Sequence, residues 1–217
     1  MITQAVEDYL KVIYNLGVDG DSVTTNAISE GMGVSQASVT GMIKKLAELK
    51  LIRHTPYHGV ELTNAGQKIA LETIRHHRLL ELYLAEALDY SWDQVHDEAE
   101  KLEHVISEEF EDKMAQFLGH PTIDPHGAPI PSKDGVIEER ELMTLTSTDA
   151  GQKVRIEQVS DRDPDMLRYL GNLGIYPEVE LHIIEKAPFE GPLLIKVGKK
   201  QHYLGPALTD RIMVSAA

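Results

Sequence analysis

The stretch from Arg75 to Met114, RHHRLLELYLAEALDYSWDQVHDEAEKLEHVISEEFEDKM, decides the architecture of this 217-residue chain. Its apolar residues recur at helical spacing with an interruption around Leu88–Ser91, which predicts two helices. His77 and Glu81 are four residues apart and share one face of the first helix. The spacing places four more donors on one face of the second helix: His96, Glu100, Glu103 and His104.

These imidazoles and carboxylates form a strip of nitrogen and oxygen donors without a cation among them. Like charges at this spacing destabilise a helix, and a divalent metal would offset their repulsion. An acidic strip is more often the solvated face of a surface helix. Here the donors lie beside the core-facing stripe, so the pattern favours a metal site. The flanking apolar residues are Leu79, Leu80, Leu82, Tyr83, Val95, Ala99, Leu102, Val105 and Ile106.

Composition restricts the class of protein. The chain is 42% hydrophobic and has no cysteine, which excludes disulfides and thiolate metal sites. No apolar run reaches the roughly 18 residues of a membrane span, and the first residues form a charged amphipathic segment, so we expect a cytoplasmic protein. Residues 75–118 carry a net charge of −8 out of −14, which disfavours nonspecific nucleic-acid binding. Any DNA contact must come from residues 1–74, whose net charge is −2.

Residues 1–73 predict a winged helix-turn-helix domain. Two helices with a glycine-containing turn between them, the second beginning after a serine N-cap, are the helix-turn-helix pattern, and a hairpin directly behind it is a wing. A generic three-helix domain is the alternative. The predicted elements are a helix over Met1–Asn15, a turn over Gly17–Ser22, a helix from Thr24–Asn26 to Gly31 or Gly33, a helix capped by Ser35 that runs to Lys50, and a hairpin over Leu51–Thr63 that turns at Pro56–Gly59.

In that fold the exposed front of the Ser35–Lys50 helix enters the major groove of DNA. The side chains expected to reach base edges are Ser35, Gln36, Ser38 and Thr40. Those expected to face phosphates are Lys44, Lys45, Lys50, Arg53 and His54. So few cations predict weak binding by one copy, and therefore a homodimer.

The last third of the chain changes to a strand pattern. Residues 119–135 are dense in proline and glycine and predict a linker, while residues 136–147 have short helix potential. Four apolar–polar alternating segments from Gly151 onward, with a short helix at PDMLRYLGNLGI, predict a small β-barrel domain: VRIEQV, VELHII, LLIKV and RIMV.

Two segments resemble a known family. VHDEAEKLEHVIS at 95–107 is similar to the signature helix of the diphtheria toxin repressor family of metal-dependent transcription regulators, and HHRLLELYL at 76–84 resembles the helix before it. The C-terminal strands resemble the SH3-like (FeoA-type) domain of its three-domain members. The resemblance implies a mainly α fold with a β C-terminal domain. The implied domains are 1–73 for DNA binding, 74–148 for metal binding and dimerisation, and 149–217 for the SH3-like domain.

The resemblance implies two metal sites. The primary site takes one residue from the first helix and three from the signature helix: Asp8, Glu100, Glu103 and His104. The ancillary site takes His77, Glu81 and His96, with an acid or amide from the third domain that Asp163 matches best. Asp124 and His126 in the linker are further candidates, whereas His76 is expected to be no ligand.

The primary ligands indicate the metal. Iron-type members place Met and Cys where this chain has Asp8 and Glu100, and carboxylate oxygens suit Mn²⁺. The sequence is in this respect similar to the manganese transport regulators. Fe²⁺ is the alternative, and Co²⁺, Zn²⁺ or Cd²⁺ can substitute in vitro. Lys11 stands where certain short members have a second acid, which argues against a paired-metal cluster in the primary site.

The resemblance also implies partners. Metal acts as a corepressor for a homodimer that binds palindromic double-stranded operator DNA and controls metal uptake genes. No membrane and no small organic substrate is expected. The apolar residues expected at the dimer interface are Leu79, Leu82, Tyr83, Leu88, Val105, Ile106 and Phe110.

Other classes of protein fit less well. A di-metal oxidase needs a Glu-x-x-His motif from each of two helices, and a metalloprotease needs His-Glu-x-x-His; both are missing, so we expect no enzyme. A winged-helix sensor of an organic ligand would bind DNA without metal. A structural adaptor would leave the winged helix unexplained.

Overall fold

The computed structural model describes residues 2–17, 23–55, 58–138 and 140–217. The chain divides into two compact units: residues 1–76 with 103–106 and 131–136, and residues 77–102 with 107–130 and 137–217. Within the described residues no helix is long and apolar enough to cross a membrane. The helices are α1 Gln4–Gly17, α2 Thr25–Met32, α3 Gln36–Glu48, α4 Asn64–Leu88, α5 Val95–Leu102, α6 Glu108–Phe117, α7 Pro164–Leu173 and α8 Pro206–Thr209. The strands are β1 Ile52–Thr55, β2 Gly59–Leu62, β3 Met143–Thr144, β4 Lys153–Val159, β5 Glu180–Lys186, β6 Leu193–Val197, β7 Lys200–Leu204 and β8 Ile212–Ala216.

The first unit contains the predicted winged helix-turn-helix. The side chain of Thr24 accepts a hydrogen bond from Ala27 N and that of Ser35 from Ser38 N, so both predicted N-caps are present. Gly33 ends α2 in the left-handed conformation, with φ of +64°. The antiparallel pair β1–β2 forms the wing. The predicted turn over 18–22 and the wing tip at 56–57 lie outside the described residues.

Buried side chains of α1, α2, α3 and the wing form one core in this unit. Val6, Leu10, Ile28, Val39 and Leu46 are fully buried. The start of α4 packs closely on the wing, because a Cβ at Gly66 would lie 2.0 Å from the backbone oxygen of Leu51. The core therefore fixes α1 in the DNA-binding domain, which matters for the site below.

The predicted second helix of the central stretch is interrupted, and this corrects the sequence analysis. α5 ends at Leu102, residues 103–105 form a turn, and α6 begins at Glu108. The side chain of Ser107 caps α6 by accepting from Phe110 N, and three acids in the first turn of α6 favour a helix start there. Glu103 and His104 therefore do not continue the helical face that carries His96 and Glu100.

The second unit contains a six-stranded antiparallel sheet with the order β3-β8-β4-β5-β6-β7. This sheet and α7 enclose a core that includes Ile156, Leu167, Leu170 and Ile195. The four predicted strands and the helix are confirmed, but β7 was missed because KQHYL is mostly polar. Residues 136–147 were wrongly given helix potential; they contain β3 and a 3-10 turn over Leu145–Ser147.

Part of the predicted linker is an ordered loop. Asp124 Oδ1 accepts hydrogen bonds from the backbone N–H of His126 at 2.8 Å and of Ala128 at 2.9 Å. Val159 N donates to the backbone oxygen of His126 at 2.9 Å, which attaches the loop to β4. Gly127 has φ of +85°, and a Cβ there would lie 1.9 Å from Glu157 O. Only glycine fits this approach, and the loop holds His126 in place.

Candidate metal centres

The first centre joins α1 to the turn after α5. Asp8, Glu103 and His104 each offer one ligand atom, and these atoms lie within 4.8 Å of one another. His104 Nε2 is 2.8 Å from Asp8 Oδ1 and 3.2 Å from Glu103 Oε1. Glu103 is fully buried and the His104 side chain is 5% exposed. Two carboxylates and one imidazole in this arrangement suit a divalent cation.

Other side chains among the described residues contact the residues of this first centre. Lys11 Nζ lies 2.6 Å from Glu103 Oε1. Glu7 Oε2 lies 2.6 Å from His104 Nδ1, the ring nitrogen that does not face Asp8. His76 Nδ1 is hydrogen-bonded to the backbone oxygen of Glu103 at 3.1 Å. Sequence analysis did not assign a role to Glu7.

Glu100 was the fourth residue predicted for the primary site. It belongs to the second unit, where its Oε1 lies 3.9 Å from His96 Nε2 and its side chain is 48% exposed. Its role as a primary-site ligand stays a prediction.

The second centre contains the predicted donors of the ancillary site. His77, Glu81 and His96 meet Asp161, with one ligand atom from each within 4.8 Å of the others. Glu81 Oε1 lies 3.0 Å from His77 Nε2 and 3.2 Å from His96 Nδ1. Asp161 Oδ2 lies 3.5 Å from His96 Nδ1. α4 supplies two of these residues, α5 one, and the loop before α7 one.

The structure brings Asp161 to these donors and not Asp163, the residue that the sequence predicted. Asp163 is the N-cap of α7: its Oδ1 accepts from Met166 N at 3.1 Å, and its Oδ2 lies 3.8 Å from Arg211 Nη1. A residue that caps a helix before proline directs its carboxylate at the helix end. Asp163 is thus not among the donors that the structure brings together here, and Asp161 is the nearer candidate.

Glu81 also faces Asp124 and His126, and because it is shared we count these two donors in the second centre. Its Oε2 lies 3.7 Å from His126 Nδ1, and Asp124 belongs to the same cluster within 4.8 Å. Among the described residues, Glu81 Oε2, Asp124 Oδ2 and His126 Nδ1 are buried atoms without a hydrogen-bond partner. His126 Nε2 donates to the backbone oxygen of Trp92 at 2.7 Å, so its Nδ1 is available as a ligand atom. Converging, buried and unsatisfied donors fit a bound cation.

The charges of the second centre compensate one another without metal. Burial raises the pKa of Glu81, but His77 and the other imidazoles hold it well below its usual range. Burial lowers the pKa of His96, but Asp161 and Glu81 raise it to about 10. For His126, burial likewise lowers the pKa and Glu81 raises it to about 9. Protonated imidazoles therefore occupy the centre at neutral pH, and a cation must displace their protons.

The predicted DNA-contacting residues belong to α3, to the residues on either side of it and to β1. All nine are exposed: Ser35, Gln36, Ser38, Thr40, Lys44, Lys45, Lys50, Arg53 and His54. Ser35 Oγ and Ser38 Oγ are hydrogen-bonded to each other at 3.0 Å, and Thr40 Oγ1 donates to Gln36 O at 2.8 Å. A hydroxyl that donates in this way can still accept a hydrogen bond.

The residues predicted for the dimer interface differ in exposure, and Leu82, Tyr83 and Ile106 are half-buried. Leu79 is fully buried within the chain, so it cannot contribute to an interface. Leu88, Val105 and Phe110 are exposed, at 54%, 75% and 40%. Phe117, which the sequence analysis did not consider, is 67% exposed.

The comparisons with known proteins match all three parts of the chain. Residues 1–60 match the family model for the iron dependent repressor N-terminal DNA binding domain. Residues 63–132 match that for the iron dependent repressor metal binding and dimerisation domain, and residues 143–216 match the FeoA domain.

Individual relatives match over nearly the whole chain. The iron-dependent repressor IdeR of Mycobacterium leprae is 29% identical over 98% of this chain and 97% of its own. A solved manganese-dependent transcriptional repressor in complex with manganese is 36% identical, covers 98% of this chain and 100% of its own, and superimposes with a TM-score of 0.92. The structure of ScaR with bound Zn²⁺ is 31% identical, covers 98% of this chain and 99% of its own, and superimposes with a TM-score of 0.85.

These relatives are transcriptional repressors and not enzymes. Their identity, coverage and structural agreement extend through the winged helix, the donor-bearing helices and the C-terminal sheet. The chain belongs to the diphtheria toxin repressor family of metal-dependent transcriptional regulators.

Proposed function

We propose that this chain is a manganese-responsive regulator that binds palindromic operator DNA as a homodimer when loaded with metal, and so controls metal uptake genes. The observation that carries the proposal is the meeting of Asp8 with Glu103 and His104. Asp8 comes from the first helix of the DNA-binding domain, whereas Glu103 and His104 come from the turn between α5 and α6.

A cation at the first centre would link these two parts of the chain. Without it, α1 and the turn are joined by the ion pair between Lys11 and Glu103 and by the contact between Glu7 and His104. With it, the three donors share one ion, and the turn is fixed to α1. The turn is covalently continuous with α5 and α6, where exposed apolar residues such as Phe110 are available to a second copy. Metal would thus set the spacing of two recognition helices.

The second centre would link the central helices to the C-terminal domain. Its donors come from α4 and α5, from the loop that holds Asp124 and His126, and from Asp161 before α7. Three carboxylates would neutralise the charge of a cation there, and three imidazoles could ligate it once they have lost their protons. We assign it a supporting role, because the DNA-binding domain contributes none of these side chains.

Manganese is supported by the chemistry of the first centre. Asp8 and Glu103 supply hard oxygen ligands, with a single imidazole nitrogen from His104, and this donor set suits Mn²⁺ better than softer ions. The manganese-dependent repressor described above is 36% identical to this chain, against 29% for the iron-dependent IdeR. Fe²⁺ is the second candidate, and Co²⁺, Zn²⁺ or Cd²⁺ are expected to bind in vitro.

DNA is the expected partner of α3 and the wing. Gln36, Lys44, Lys45 and Arg53 are exposed on these elements. Few cations serve this surface, so binding by one copy is expected to be weak, and two copies on a two-fold axis would read two half-sites. We expect the protein to act in the cytoplasm, where operator DNA lies.

The test is DNA binding to the region upstream of its own gene, titrated with Mn²⁺, with Fe²⁺ under anaerobic conditions and with chelator. Wild type should bind only with metal, and the more effective ion at physiological concentration identifies the cognate metal. Glu103→Gln should lose metal-dependent binding, while Glu109→Gln, on the exposed part of α6, should retain it. Equal binding by wild type in chelator would contradict the proposal.

A further inference from the structure

The two ring nitrogens of His104 face different carboxylates of the same helix. Nε2 lies 2.8 Å from Asp8 Oδ1, and Nδ1 lies 2.6 Å from Glu7 Oε2. Neighbouring residues on a helix project about 100° apart, so Glu7 and Asp8 can reach opposite edges of one ring. Glu7 does not belong to the cluster of donors formed by Asp8, Glu103 and His104.

A histidine that binds a metal must be neutral and must present a lone pair at the ligating nitrogen. In protein metal sites the other nitrogen usually donates its N–H to a carboxylate or carbonyl, which fixes the tautomer and ring orientation and makes the ligand more basic. Glu7 stands in that relationship to His104. Its side chain is 26% exposed and that of His104 is 5% exposed, so the hydrogen bond is partly protected from water.

We propose that Glu7 is a positioning residue for the first metal centre. Its carboxylate accepts the Nδ1–H of His104 and thereby directs the Nε2 lone pair at the cation that Asp8 and Glu103 share. This inference rests on the proposed function, because it presumes that the first centre holds metal.

The placement of Glu7 adds a consequence for the switch. One turn of α1 then supplies a metal ligand, Asp8, and also the residue that orients a second ligand. A displacement of α1 would therefore remove a donor and release the His104 ring at the same time. Metal binding at this centre becomes more sensitive to the position of α1 than Asp8 alone would make it.

A simpler role for Glu7 is an ion pair that only stabilises the fold. The two roles differ in what Glu7→Gln does. The amide keeps the size of the side chain and can still accept a hydrogen bond from Nδ1–H of His104. It lacks the negative charge that makes Nε2 a more basic ligand. A purely structural role would change the melting temperature and leave metal affinity per folded molecule unaltered.

The experiment measures Mn²⁺ affinity and stoichiometry of the full chain, with His126→Ala as background to weaken the second centre. Glu7→Gln should bind at the first centre about 10- to 100-fold more weakly than its parent, and Glu7→Ala more weakly still. Glu30→Gln, an exposed acid of the same unit, should bind like the parent. Circular dichroism establishes that each variant is folded.

A spectroscopic readout separates positioning from stability. In the Cd²⁺-loaded protein, ¹⁵N spectra of His104 should show a protonated Nδ1 and a metal-bound Nε2, and Glu7→Ala should lose this single state. Affinity within twofold of the parent for folded Glu7→Gln, or an unchanged His104 spectrum in Glu7→Ala, would overturn the inference. If Asp8→Ala bound as many Mn²⁺ ions as the parent, the proposed function itself would fail. If Asp8→Ala bound one ion fewer but Glu7→Gln had no effect on affinity, only the role of Glu7 would be removed.

Discussion

The ammonium group of Lys11 lies 2.6 Å from Glu103 Oε1, at the first metal centre and one helical turn from Asp8. The side chains are 12% and 0% exposed, so the pair is largely shielded from water. A unit positive charge therefore already neutralises one of the two carboxylates of this centre. A cation that binds there would have to bind against this charge or displace it.

Removal of that charge should tighten metal binding. Lys11→Met keeps the length of the side chain and deletes the ammonium, so Mn²⁺ affinity at the first centre should rise by roughly tenfold, since charges at this distance interact by about 1–4 kcal/mol. Lys11→Arg should remain close to wild type. Isothermal titration of both variants checks this, and an affinity of Lys11→Met equal to or below that of wild type would contradict it.

The neighbouring acids Asp161 and Asp163 provide a matched pair for the second centre. Asp161→Ala should weaken Mn²⁺ binding at this centre by about 10- to 100-fold, because it removes a donor next to His96. Asp163→Ala should lower the free energy of unfolding by about 1 kcal/mol, because α7 loses its N-cap, and it should leave metal affinity unchanged. Metal titration and thermal unfolding of each variant give the two readouts. The opposite pattern would return the ligand role to Asp163.

Metal binding at the second centre should release protons. The pKa values of His96 and His126 are raised to about 10 and about 9, above the ordinary 6.5, so both rings are protonated at pH 7 without metal. A cation needs neutral imidazoles, so its affinity should increase as pH rises toward 9 and level off above 10. Calorimetry at pH 7 in buffers of different ionisation enthalpy counts the protons released. Heats that do not depend on the buffer would show that neither ring gives up a proton.

The exposed lysines of α3 should contact phosphates and not bases. Lys44→Ala and Lys45→Ala should each weaken DNA binding to a similar degree for specific and nonspecific duplexes. Each should reduce the salt dependence by about one ion per copy, or about two per dimer. Lys200→Ala, which changes an exposed lysine of the C-terminal sheet, is the control. Fluorescence anisotropy across a range of salt concentrations supplies these slopes; if the control variant lowered the slope as much, α3 would not be the DNA-binding surface.

Local signals made most of the fold predictable. Thr24 and Ser35 each accept a hydrogen bond from the backbone N–H three residues later, which makes both N-caps local signals. The break after Leu102 could also have been found, because Ser107 followed by three acids is itself a helix-start signal. The helical period of the donors outweighed it in the sequence analysis, which is why Glu103 and His104 were assigned to one face with His96.

The sites were predictable only where spacing along one helix determines them. His77 and Glu81 are four apart on α4, and the structure brings their side chains to 3.0 Å. Asp161 comes from a different domain, and its distance from His96 depends on tertiary packing that no local pattern encodes. Glu7 was missed for a related reason. In the sequence it is an acid next to Asp8 on a helix, and only the folded structure shows that the His104 ring contacts both carboxylates.

Metal binding and DNA binding should be thermodynamically linked. The linkage is tested most directly by asking whether DNA changes Mn²⁺ affinity as much as Mn²⁺ changes DNA affinity. Mn²⁺ affinity of wild type should be measured alone and with a saturating duplex selected from random sequence by the metal-loaded protein. DNA should tighten Mn²⁺ binding by the same factor by which Mn²⁺ tightens DNA binding, about 5- to 150-fold for a coupling of 1–3 kcal/mol. An Mn²⁺ affinity that is identical with and without the duplex would contradict the account.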